Sequence, residues 1–306
     1  MIAFTCDRFT VPLPEWHRFP MIKYARLRER IESTGLIRPE DLRIPEAARD
    51  DELLQAHDAE YIRKVSGGLL SRDEVRAIGF PWTASLVERS RRSVGATIEA
   101  CRRAFEDGIA VNLAGGTHHA YRDHGAGFCV FNDAAVAARV IQDEGKAARV
   151  LIVDCDVHQG DGTASIFAND PTVFTFSIHG AMNYPIEKQS SDLDVELADN
   201  TRDDEYLVAL ERGLRLALDR SKADLAIYLG GADPFVYDRL GRLSVSKEGL
   251  ARRDALVFER CRAAGLPIAV TMAGGYAEEV TDTVDIHYQT VVEAVRVAQS
   301  GRSSLP

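Results

Sequence analysis

Five short apolar runs recur along the chain: Ile109–Leu113 (IAVNL), Val150–Val153 (VLIV), Val173–Ser177 (VFTFS), Leu225–Leu229 (LAIYL) and Ile268–Met272 (IAVTM). They are apolar at consecutive rather than alternate positions and rich in branched side chains. That pattern predicts strands buried on both faces of a parallel sheet. Between the runs, apolar residues return at helical spacing. Ser85–Phe105 aligns Leu86, Val94, Ile98 and Phe105 and stops at Gly108, and Asp133–Ile141 is Ala-rich. Asp203–Leu218 opens with acids, and Glu248–Ala264 closes on Gly265-Leu266-Pro267, a strong helix stop. Two shorter helical segments, Lys23–Ile31 and Ala59–Val65, lie in an irregular first quarter that reads as wrapping a sheet edge or shaping a rim. Alternating strand and helix predicts an α/β fold: three αβα layers around a mainly parallel, doubly wound sheet with right-handed crossovers. No linker or repeat interrupts it, so residues 1–306 read as one domain.

Composition narrows the function. Apolar residues make up 45% of the 306, enough for a large core, and the net charge of −10 argues against direct binding to nucleic acid or an anionic membrane. Arg89, Arg91, Arg92, Arg102 and Arg103 form a basic cluster in one helical segment and are expected to be a solvated face. No window approaches the roughly 18–20 apolar residues of a membrane span. The start, MIAFTCDRFTVPLPEWHRFP, lacks the basic-then-apolar pattern of a signal peptide. Five scattered cysteines without a C-x-x-C pair read as buried filler in a reducing cytoplasm rather than as a disulfide scaffold.

Ligands of such sheets bind beyond the carboxyl ends of the strands, and there the sequence concentrates its chemistry. After IAVNL comes AGGTHH (Ala114–His119); after VLIV, DCDVHQGDG (Asp154–Gly162); after LAIYL, GGAD (Gly230–Asp233); after IAVTM, AGGY (Ala273–Tyr276). Asp156 and His158, two apart in extended backbone, point the same way, and Asp233 from another strand end supplies a third donor. Three protein donors with an open position suit a catalytic metal, Zn²⁺ or, given the oxygen-rich set, Fe²⁺. His118 and His119 point to opposite sides and so suit two roles: one imidazole takes a proton from an activated water, the other stabilises charge. Asp154 and Asp161 are the spare acids that would orient them, although Asp161 also suits a helix N-cap. Tyr276 would donate to a substrate oxygen as it gains negative charge.

The blocks LAGGTHHA, GFCVFNDAAVAA, VDCDVHQGDGT, GGADPF and MAGGY, in that order, resemble the metal-dependent histone deacetylase family of the arginase/deacetylase fold. Gln159 after the metal histidine and the run DRLGRLSVSKEGLARRD are similar to its class IV branch and bacterial relatives. The resemblance implies an eight-stranded sheet and hydrolysis of acylated amines: acyl-lysine side chains of proteins, or small acylated polyamines as the alternative. It implies metal ligands Asp156, His158 and Asp233, with His119 the general base, His118 its partner, Asp154 and Asp161 behind them, and Tyr276 polarising the carbonyl. It further implies a structural K⁺ held by Asp154, Asp156, His158, Ser177 and Ile178. Gly127 and Phe128, with Gly274 and Gly275, would line the substrate tunnel. The opposite wall falls within residues 178–186 with no residue singled out, and His179 and Tyr184 are expected at the mouth as rim or structural residues. A catalytically silent binder of acylated lysine and a two-metal ureohydrolase are the rival readings. The complete set of ligands, base and phenol argues against the first, and the tandem histidines against the second.

Overall fold

The computed structural model describes residues 1–14 and 16–302. Its strands are β1 (Ala3–Phe4), β2 (Leu42–Arg43), β3 (Ile109–Asn112), β4 (Val150–Asp154), β5 (Val173–Gly180), β6 (Leu193–Leu197), β7 (Leu225–Leu229) and β8 (Ile268–Thr271). The helices are α1 (Ile22–Thr34), α2 (Asp50–Leu53), α3 (Ala59–Gly67), α4 (Arg72–Ile78), α5 (Ala84–Asp107), α6 (Asp133–Asp143), α7 (Asp161–Ile166), α8 (Asp203–Ser221), α9 (Lys247–Ala263) and α10 (Val280–Arg302). One eight-stranded sheet runs in the order β2-β1-β3-β8-β7-β4-β5-β6, parallel throughout. The five apolar runs are its central strands, and β1, β2 and β6 complete the edges.

The continuous apolar character of the central strands follows from two cores. In β4, Val150 and Ile152 enter the core beneath α5 and α6, while Leu151 and Val153 enter the one beneath α8, α9 and α10. In β7, Leu225, Ile227 and Leu229 take the first side, Ala226 and Tyr228 the second. Each large apolar side chain so buried contributes about 1.5–3 kcal/mol, and every strand's carboxyl end reaches the same edge of the sheet. All five cysteines are buried and unpaired.

The arginine cluster of α5 is not a solvated face. Arg89 is buried; its Nη1 donates to the carbonyls of Cys6 (3.1 Å) and Phe9 (3.4 Å), and its guanidinium lies 4.2 Å over the Tyr24 ring. Arg91, Arg92, Arg102 and Arg103 are partly buried and ion-paired, with Asp50, Glu88, Glu144 and Glu106 among their partners. The cause is coverage by the amino-terminal region, whose Pro45 and Ala48 carbonyls accept from Arg92 and Arg91.

The helix that matters most for the strand-end loops is α6. Asn132 caps it by accepting from Ala135 N (3.0 Å), and its amide also reaches Ala120 O and Thr163 Oγ1. The adjacent Asp133 carboxylate, wholly buried, accepts from Gly116 N (3.1 Å), Thr117 N (2.7 Å), Thr117 Oγ1 (2.6 Å) and Thr97 Oγ1 (2.6 Å). The loop after β3 therefore hangs from the start of α6. Asp133→Ala leaves these donors buried and unpaired, and is expected to cost about 3 kcal/mol. A urea titration checks this, and a midpoint within error of wild type would refute it.

Candidate active site

The strand-end segments converge. Asp156 and His158 follow β4, and Asp233 follows β7. Their ligand-capable atoms all lie within 4.8 Å of one another, and all three residues are buried. His158 Nδ1 sits 2.9 Å from Asp156 Oδ1 and 3.3 Å from Asp233 Oδ2. Backbone donors fix the carboxylates: Val157 N donates to Asp233 Oδ1 (2.9 Å), Gly274 N to Asp156 Oδ2 (2.8 Å) and His158 N to Asp156 Oδ1 (3.0 Å). Gly274 must lack a side chain, because a Cβ there would fall 2.0 Å from Asp233 Oδ2 and 2.6 Å from Asp156 Oδ2.

Charge in this cluster is out of balance. Asp156 is held well below the usual carboxylate range: burial opposes that, but His118 and His158 outweigh it. Burial and then the Asp156 charge push Asp233 up to about 7. Burial works against a charged His158, yet its two carboxylates raise it to about 10. Asp233 Oδ2 is buried without a hydrogen-bond partner. An orphaned carboxylate oxygen facing an imidazole nitrogen and a second carboxylate fits a divalent cation, and the donors O, N and O are those of a catalytic site with positions to spare.

The tandem histidines lie beside this cluster, ring centroids 4.1 Å apart and tilted 53°. His118 Nδ1 is 2.7 Å from Asp154 Oδ2, and His119 Nδ1 is 2.6 Å from Asp161 Oδ1. Burial disfavours a charged imidazole at both, but Asp154 and then Asp156 raise His118 to about 9. At His119, burial and the neighbouring His118 charge lower it to about 4. One ring is thus poised as a cation and the other as a neutral base. Asp161 occupies the first turn of α7, whose N-cap is Gly160. Besides His119 its carboxylate accepts from Gly162 N (3.0 Å) and from the Tyr121 hydroxyl (2.9 Å).

Tyr276 is buried on the opposite side, its ring 6.5 Å from that of His158 and 5.9 Å from that of Phe128. Its backbone N–H donates to Asp238 Oδ2 (2.6 Å). Burial, then Asp156 and Asp233, hold its phenol well above the ordinary range, so it stays a donor. The cleft above the cluster is lined by Phe19, Tyr24, Gly127, Phe128, Gly274 and Tyr276, among others. Gly127 (φ +53°) also needs its missing side chain, since a Cβ would meet His119 Cδ2 at 2.6 Å. A Cβ on Gly275 would meet Thr283 and Ala232, and its carbonyl accepts from Lys23 Nζ (3.3 Å). Ser177 and Ile178 are buried on β5, with Ser177 paired in register beside Asp154.

Further residues support the cluster from its flanks, and of these only His179 and Tyr184 are singled out by the sequence. Tyr184, from residues 178–186, is 46% exposed and packs edge-on against His119 with centroids 4.9 Å apart. His179 is not at the mouth; it is wholly buried in β5, its Nδ1 2.9 Å from Ser177 Oγ. Lys23 is buried under the Tyr276 ring, Nζ 5.2 Å from its centroid, and burial pushes it down to about 8. Arg253, also fully buried, donates through Nη1 to the carbonyls of Cys155 and Gly231, tying two strand-end loops together from behind, and is itself held by Asp254.

The sequence pattern of the Histone deacetylase domain matches residues 17–291. An uncharacterized protein of Picosynechococcus is 46% identical over 279 residues, 91% of this chain and 93% of its own. Histone deacetylase 2 of Arabidopsis thaliana is 30% identical over 283 residues, covering 88% of this chain and 73% of its own. A crystal structure of a histone deacetylase homologue from Aquifex aeolicus superposes with a TM-score of 0.82 over 99% of this chain and 88% of that one, at 21% identity; this supports the fold.

Asp156→Ala and His158→Ala are each expected to lose most bound divalent metal, whereas His119→Ala, whose ring nitrogen faces Asp161, keeps it. Elemental analysis of the purified variants checks this, and full metal occupancy in Asp156→Ala would refute the ligand assignment.

Proposed function

The chain belongs to the histone deacetylase family, and from that premise we propose that it is a zinc-dependent hydrolase removing acyl groups from lysine side chains of proteins. Two imidazoles, each backed by its own carboxylate, face a protonated phenol across Asp156, His158 and Asp233, and this arrangement carries the reading. Zinc, with ferrous iron as the alternative for this donor set, would be held by those three residues and supply Lewis-acid polarisation of the amide carbonyl when bound.

The chain's own residues do the rest. His119, neutral and donating through Nδ1 to Asp161, accepts a proton at Nε2 from the attacking water and returns it to the leaving amine. His118, charged through Asp154, stabilises negative charge beside it. Tyr276 donates to the carbonyl oxygen as the tetrahedral centre forms. Phe128 and Tyr184 hold the substrate's alkyl stem and exclude water. Amide hydrolysis requires more than ~10 kcal/mol of barrier lowering, beyond what any one of these groups supplies.

A second cavity shares Phe19, Tyr24 and Phe128 with the cleft and continues toward Phe80 and Leu86. Its aromatic and aliphatic wall, beside Arg89, Ser90, Ser93 and Thr117, favours acyl groups longer than acetyl. We assign the structural K⁺ to Asp154, Asp156, His158, Ser177 and Ile178, the branch to class IV, the location to the cytoplasm, and residues 1–306 to one catalytic domain. The net charge of −10 favours, as a second reading, small acylated polyamines. Purified enzyme tested on lysine peptides bearing acyl groups from acetyl to myristoyl, beside acyl-polyamines, separates the two. Turnover of polyamines alone would overturn the first.

Tyr276→Phe is expected to keep its metal and lose about 10²–10³-fold in kcat; near-normal turnover of acyl-lysine peptides would remove the phenol from the reaction. Turnover should rise with pH as His119 loses its proton, below the ordinary imidazole range, and fall as His118 loses its own near 9. Asp154 raises His118, so Asp154→Asn should move the alkaline limb to lower pH. An unmoved limb in the pH–rate profile would contradict this.

A further inference from the structure

Residue Gln159, which follows the metal histidine and plays no part in the chemistry above, points away from the cleft toward the segment that carries Tyr184. Its amide brackets the backbone N–H and C=O of one residue of that segment. Nε2 donates to Gln189 O (2.6 Å) and Oε1 accepts from Gln189 N (2.8 Å), while Nε2 also reaches Asp194 Oδ1 (2.9 Å). One residue earlier, Lys188 turns back into the loop. Its Nζ donates to three carbonyls, those of Ala181 (3.2 Å), Asn183 (2.8 Å) and Pro185 (2.6 Å). An ammonium has three N–H donors, so the match is one to one. Asn183, buried, adds a tie from Nδ2 to Leu240 O (2.7 Å).

The consequence lies in the alternation of residues 182–186. Asn183 and Pro185 are buried and face the clamp, so Met182, Tyr184 and Ile186 are turned outward, exposed by 70, 46 and 96%. Of these, Tyr184 leans over the His119 ring. A twelve-residue surface loop (181–192) with no regular structure ordinarily samples many conformations; here an ammonium and a reciprocal amide hold one.

We propose that Lys188 and Gln159 are positioning residues that hold Tyr184 as a fixed tunnel wall, and so set which acyl-amine stems the tunnel accepts. This rests on the deacylase reading for its substrate, though the clamp itself does not depend on that reading. Lys188 acts through Tyr184 and touches neither substrate nor reacting atoms. Its loss removes the donors while solvent can still reach the freed carbonyls, so the loop loosens without unfolding the sheet.

The test uses the full chain in four forms: wild type, Lys188→Met, Tyr184→Ala and the double variant. Hydrogen–deuterium exchange over residues 181–189 is expected to quicken in Lys188→Met while β4 and β7 stay protected. With acyl-lysine peptides, KM is expected to rise about tenfold with kcat changed less than about threefold. The double variant should match Tyr184→Ala, because a residue acting through Tyr184 adds nothing once that ring is gone. Unchanged exchange in Lys188→Met overturns the clamp; additive KM effects overturn its action through Tyr184. If wild type turns over no acyl-lysine peptide, the deacylase reading fails and exchange alone decides the clamp.

Discussion

Negative charge buried at one edge of the sheet is the constraint to which this structure answers. Asp154, Asp156, Asp161 and Asp233 are at most 3% exposed, and isolated carboxylates in such surroundings are expensive. Three are matched to imidazoles: Asp154 to His118, Asp161 to His119, Asp156 to His158. Asp233 is left with one oxygen unpartnered. Three imidazoles therefore answer four carboxylates, and the glycine at 274 brings backbone, not a side chain, against Asp156 and Asp233.

The same economy explains how the two histidines diverge. They are neighbours in sequence and share the penalty of burial, yet His118 faces two carboxylates and His119 faces one while bearing the repulsion of a charged neighbour. Proton transfer and charge stabilisation are thereby divided between the two rings by surroundings alone. Neither ring could keep its place if the loop after β3 moved, and that loop is held by Asp133 and Asn132 at the head of another helix rather than by its own strand.

Much of this is legible in the sequence. Central strands such as Val150–Asp154 declare themselves because burial on both faces makes them apolar at every position, and the residues that follow them are unusual enough to name the site. The edges were not legible. β1 and β2 have two residues each, and β6 (LDVEL) is half-polar because one side meets solvent. Lys188 and Arg253 escape for a different reason: the groups they hold, 3–7 and 22–98 residues away, are backbone carbonyls, which no side-chain pattern encodes. Arg89 was misplaced because helical spacing reveals a polar stripe but not what later covers it.

Arg253 has a bearing on how the molecule meets acid. Its guanidinium cannot give up its proton at any pH a fold survives, and it joins the loops after β4 and β7 beneath the cleft. Acidification adds a proton to His119, beside the already charged His118, and their mutual repulsion loosens the cleft from the top. The staple underneath is indifferent to the change, so inactivation and unfolding become separate events, and neutralisation restores the former without rebuilding the sheet.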